Sequence, residues 1–135
     1  MPLTLEEASR VIAAAHEKAR ELKIRVTAAI VDEGAHLQAL GRMDGAPPLS
    51  AQIAESKAVG AALLHRDGAG LAQVHEQRPG FFQAVDRLAR LPIIPGLGSV
   101  PVRRGESVLG AVGVSGGKPD EDLACAQHGL RALEG

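Results

Sequence analysis

At 135 residues the chain is the size of one domain with one core, and its 45% hydrophobic content is that of a globular protein rather than a disordered one. Fifteen basic and 16 acidic residues leave a formal net charge of -1 with no block of like charge, which argues against nucleic acid and anionic membrane surfaces as partners. The single Cys125 excludes an internal disulfide. Charges run through residues 1–25 where a signal peptide would be apolar, and no apolar run approaches the roughly 20 residues of a membrane span, so a cytoplasmic protein is expected.

In chain order, Thr4-Leu5-Glu6-Glu7 reads as a capping box, and Leu5, Ala8, Ile12, Ala15 and Ala19 then share one face of a helix expected over residues 5–22. Ile24 to Val31 is β-branched and small, a largely buried strand. Asp32-Glu33-Gly34-Ala35 supplies turn chemistry, with Gly34 free to take positive φ, and His36 to Gly41 returns as the second strand of a hairpin. Arg42-Met43-Asp44-Gly45-Ala46-Pro47-Pro48 breaks regular structure, and Ser50 is the expected N-cap of a small-residue helix to about Leu64. Residues 65–79 read as irregular, with one short turn of helix at most. Pro79 opens a short helix to about Leu88, and the prolines and glycines between Leu91 and Gly98 mark a loop. Val100 to Arg103 and Ser107 to Val114 form a second hairpin across Arg104-Gly105-Glu106. A last helix starts at Pro119, carries Asp120, Glu121 and Asp122 in its first turn, and runs to about Leu133. Two hairpins separated by helices imply an antiparallel sheet in a single domain spanning 1–135. Phe81 and Phe82 are the only aromatic residues. The core is therefore built from Ala, Val, Leu and Ile, and burial at a subunit interface would add to it.

Three features can carry chemistry. Gly113-Val114-Ser115-Gly116-Gly117 ends a strand before a helix, where backbone N–H groups can form an anion nest; the plainer reading is a tight turn that needs glycine. Arg42, Asp44 and Lys57 are charges beside a small-residue helix, either solvated or meeting an acidic ligand group. Among five histidines, His16 lies about 40° from Ile12 on the first helix, at the edge of the apolar stripe. It is either a boundary residue or a donor aimed at a partner or a flat apolar ligand. No Cys–His cluster of zinc-binding spacing is present.

Ala29-Ile30-Val31-Asp32-Glu33-Gly34, Arg42-Met43-Asp44-Gly45-Ala46, Ser50 with Lys57-Ala58, and Gly110 to Gly117 followed by Asp122 together resemble the GlcG/HbpS-like domain family. That family is also met as the C-terminal domain of PduO-type corrinoid adenosyltransferases. The resemblance implies an α/β (α+β) profilin-like sandwich, a five-stranded antiparallel sheet with helices on both faces, assembling as dimers to octamers. It implies haem as a possible cofactor and gives precedent for a first-helix histidine as the iron ligand, here His16. The adenosyltransferase activity of the fused proteins belongs to their other domain. The chain departs from the family pattern at Pro95-Gly96-Leu97-Gly98, where a Gly-Gly-x-Pro run is common.

The leading expectation is a small-ligand protein that binds or handles haem or another tetrapyrrole, with His16, Arg42, Lys57, Ser115, Gly116 and Gly117 as ligand-binding residues. The alternative is an isomerase or lyase acting on a small carboxylated metabolite. There the turn at Ser115 to Gly117 holds the carboxylate, Arg42 clamps it, and Asp44 or Asp122 serves as acid or base. A second alternative is a non-catalytic accessory or assembly protein.

Overall fold

The computed structural model describes residues 2–134. Its elements run α1 (Leu5–Glu21), β1 (Thr27–Asp32), β2 (Leu37–Arg42), α2 (Ser50–Leu64), α3 (Gly68–Gln77), α4 (Pro79–Leu88), β3 (Ser99–Arg104), β4 (Ser107–Ser115) and α5 (Pro119–Arg131). The strands form one antiparallel sheet in the order β2-β1-β4-β3. This α+β architecture has four strands among the described residues, not the five that the resemblance implies. Between α2 and β3 the chain is spent on α3, α4 and a segment broken by Pro92, Pro95, Gly96 and Gly98, which leaves no run able to add a strand.

Alternation along β1 divides the core. Ala28 and Ile30 face α1 and α5, joining Ala8, Val11, Ala15, Ala19, Cys125 and Ala126. Val31 faces α2, against Ala58, Val59, Ala61 and Ala62. The small residues of α2 have a direct cause: a Cβ on Gly113 of β4 would strike the Ala54 carbonyl and stand 2.7 Å from the Ala58 nitrogen. The helix backbone thus rests on the sheet itself, at a separation that larger side chains would not allow.

Several local expectations need correction. In α1 Ala8, Ala15 and Ala19 are buried as expected and Val11 joins them, while Leu5 remains 60% exposed. The left-handed residue of the first hairpin is Ala35 (φ 65°), not Gly34. Asp32 Oδ1 accepts the amides of Gly34 and His36 (2.9 Å each), and the Ala35 amide donates to the Asp32 carbonyl, which fixes that conformation. Ser50 is the first residue of α2 rather than its cap. Its hydroxyl donates to the Pro47 carbonyl (2.5 Å) and meets Thr27 Oγ1 at 2.8 Å. Residues 68–77 are helical, capped by Asp67 Oδ1 on the Gly70 amide at 2.8 Å.

Candidate functional site

Near the end of α1, His16 and Arg20 stand four residues apart, on one helix face. Arg25 lies just ahead of β1, and Arg42, Met43 and Asp44 follow one another out of β2. These six residues line one cleft of ≈ 470 Å³, within the range of about 300–1,000 Å³ usual for small-molecule sites.

The Arg42 to Ala46 stretch is a self-tied loop. Met43 exchanges two contacts with Val26: its amide donates to the Val26 carbonyl (3.0 Å) and its sulfur accepts the Val26 amide (3.4 Å). The Ala46 amide donates to the Met43 carbonyl, and Arg42 Nη2 donates to the Ala46 carbonyl at 2.6 Å. Gly45 (φ 81°) leaves the space that the Arg25 side chain fills. A Cβ there would overlap Arg25 Nη1 and press Cδ at 3.0 Å.

His16 Nε2 lies 2.9 Å from the Gly41 carbonyl. A carbonyl only accepts, so Nε2 carries the proton, and the lone pair of the neutral ring is on Nδ1. Gly41 is required for this approach: a Cβ there would sit 2.8 Å from Ile12 Cγ2 and 2.9 Å from His16 Cε1.

Lys57, Ser115, Gly117 and Asp122 form a second, internal group. Lys57 Nζ donates to the Val114 carbonyl (2.9 Å) and to Asp122 Oδ2 (3.3 Å), while Asp122 Oδ1 accepts the Gly117 amide at 2.9 Å. Lys57, Ser115 and Asp122 are all buried. Burial pushes the Asp122 carboxyl above the usual aspartate range, and the Gly117 amide and Lys57 ammonium offset this only in part. The glycine turn is therefore closed from within, with the Gly117 amide committed to Asp122. Gly116 (φ 139°) packs on the backbone of Arg25 and Val26, 2.8 Å from Val26 Cα by its would-be Cβ. The turn is joined to the cleft through β1, where Thr27 is in register with both Arg42 and Ser115.

Of the residues singled out in the sequence, His16, Arg42 and Asp44 meet at the cleft; Lys57, Ser115, Gly116, Gly117 and Asp122 do not line it. Arg20 and Arg25 were missed. Arg20 had a legible signal, its i+4 spacing from His16; Arg25 had none, because the Gly45 pocket that seats it is tertiary. A more apolar groove of ≈ 340 Å³ opens elsewhere, between Leu49, Ile53, Leu91, Pro92 and Ile94, and contains no histidine. Among the described residues no cluster of three or more His, Cys, Asp or Glu could hold a bare metal ion. Nor is any helix among the described residues long and apolar enough to cross a membrane.

Residues 3–131 match the model of a family described as haem-degrading protein HbpS-like. The chain is 39% identical to protein GlcG of Escherichia coli (strain K12) over 115 residues, 84% of this chain and 81% of that one. Among solved structures it is similar to a PduOC:heme complex, with a TM-score of 0.88 and 25% identity, covering 99% of this chain and 96% of that one. It is also similar to a double mutant of HbpS from Streptomyces reticuli, with a TM-score of 0.90 and 28% identity over 100% of this chain and 89% of that one.

Proposed function

The chain belongs to the HbpS-like family, and from that premise we propose that it binds and handles haem or a related tetrapyrrole in the cleft at His16. The observation that carries this reading is the hydrogen bond from His16 Nε2 to the Gly41 carbonyl. Metal-ligating histidines characteristically donate their second ring N–H to a carboxylate or backbone carbonyl, which fixes the tautomer and raises the basicity of the free nitrogen. His16 has that arrangement at the wall of a cleft, with Met43 and three arginine stems beside it.

The donor set fits the group. His16 would hold the iron through Nδ1, and guanidinium groups of the cleft would meet the propionates. When bound, haem would supply iron-centred redox chemistry. The protein's own part is to hold the ring nitrogen, through Gly41, and to keep the loop from Arg42 to Ala46 closed on itself. The nearby likeness to a PduOC:heme complex supports the same reading.

The cleft's own apolar surface is small, confined to Met43 and the arginine stems, so a flat macrocycle needs a further wall. A homo-oligomer, dimer to octamer, is the proposed source. In its support, β2 is an edge strand with Leu37 and Leu40 46% and 38% exposed, apolar surface that a second copy would cover. The profilin-like sandwich and a cytoplasmic location belong to the same proposal. Titration with hemin, followed in the Soret band, tests the binding.

A further inference from the structure

The cleft holds three guanidiniums against one carboxylate, which leaves two positive charges in excess, His16 not counted. These charges are not spent inside the protein. Among the described residues, the side chains of Arg20, Arg25 and Asp44 have no hydrogen bond or ion pair, whereas Arg42 is tied to the Ala46 carbonyl. Arg25 is nonetheless seated, because its side chain fills the space above Gly45. Arg20 is exposed on the last turn of α1, one turn beyond His16. Two exposed, unpaired guanidiniums, one of them seated over Gly45, beside a histidine whose Nε2 is tied to Gly41, form a site for two anionic groups on one ligand.

We propose that Arg20 and Arg25 are a carboxylate clamp, and that the cleft selects a ligand bearing two carboxylates. This rests on the tetrapyrrole reading in naming the source of the carboxylates as two propionates, and it moves that role from Lys57, whose ammonium is committed to Val114 and Asp122. A free dicarboxylic acid has the same chemistry and is the other source. Planar, bidentate guanidinium recognition suits carboxylates and holds the corresponding uncharged esters more weakly, through a single carbonyl acceptor.

The test uses the full chain and its Arg20→Gln, Arg25→Gln and doubly substituted forms. Far-ultraviolet dichroism and thermal midpoints check that all are folded alike. Each is titrated with hemin and with hemin dimethyl ester, and separately heated with glutarate. The wild type is expected to bind hemin about tenfold more tightly than the ester, as two partly exposed ion pairs would give. The double variant is expected to bind both equally, at the level of the ester. Equal affinity of the wild type for the two, or full discrimination by the double variant, would overturn the clamp while leaving haem binding standing. If hemin does not bind but glutarate raises the thermal midpoint only when both arginines are present, the clamp holds and the tetrapyrrole reading falls. No response to either compound overturns both.

Discussion

Lys57 Nζ stands 3.3 Å from Asp122 Oδ2, with the two side chains 9% and 5% exposed, where α2, the end of β4 and the start of α5 meet. The pair is a brace, and its energetics follow from burial. Removing one partner of a buried pair costs about 3–5 kcal/mol, because the other is left as an uncompensated charge. Lys57→Met is therefore expected to lower stability by about that amount at pH 7, measured by denaturant unfolding. Adding Asp122→Asn, which keeps an acceptor for the Gly117 amide, is expected to recover most of the loss.

The same pair has a definite pH signature. Burial raises the folded-state value of Asp122 above the ordinary 3.8. The folded protein then binds the proton more tightly than the unfolded chain, so this contribution to stability is full on the acid side of 3.8 and declines as pH rises through the raised value. In Lys57→Met the lysine's pull is gone, and the decline is expected to extend to higher pH. The cost of that substitution should thus be smaller at pH 5 than at pH 7. A cost that is the same at both would mean that Asp122 does not titrate in this window.

Cys125 is fully buried, and its thiol is pushed up to about 11, by burial first and by the nearby Asp122 charge second. The thiolate is the reactive form. Iodoacetamide at pH 8 is expected to leave the native protein unmodified over hours and to label it once in strong denaturant, read by intact mass. Rapid labelling of the native protein would show that α5 opens readily.

Gly116 holds a backbone conformation that side chains rarely adopt, and a Cβ would strike the Arg25 carbonyl. Gly116→Ala is expected to cost roughly 1–3 kcal/mol in stability. Because the strained contact is with Arg25, the residue that carries a cleft guanidinium, hemin affinity should fall as well. Gly105→Ala provides the comparison: its φ of 63° is also positive, but its Cβ would meet nothing within 4 Å and it lies in the distant β3–β4 turn, so hemin affinity should be unchanged.

What the sequence showed of this molecule was what local chemistry determines. The capping box at Thr4 and Glu7 is present, the two hairpins are antiparallel, and Pro119 opens α5 ahead of its three acidic residues. α3 was missed although Asp67 caps it, because Gly68 and Gly70 weaken its helical pattern. At the site, His16 was legible from its place at the edge of an apolar stripe. Lys57 and Asp122 were legible as charges but not as each other's partners, since 65 residues separate them and only the meeting of α2 with the end of β4 and the start of α5 brings them together. The glycine turn was legible as a landmark; that Gly116 packs on the backbone of Arg25 and Val26 required the register of β1 between β2 and β4.

The proposed role of His16 as an iron ligand has a direct spectroscopic readout. With no tryptophan or tyrosine in the chain, a strong near-ultraviolet band beside the Soret band belongs to the bound group. Hemin titrated into the wild type is expected to give a saturable Soret shift. His16→Ala is expected to abolish or displace that band and weaken binding at least about tenfold, the lower end of what loss of ligand support typically costs. A wild type that leaves the hemin spectrum unchanged, or a His16→Ala variant with the wild-type spectrum and affinity, would contradict the account.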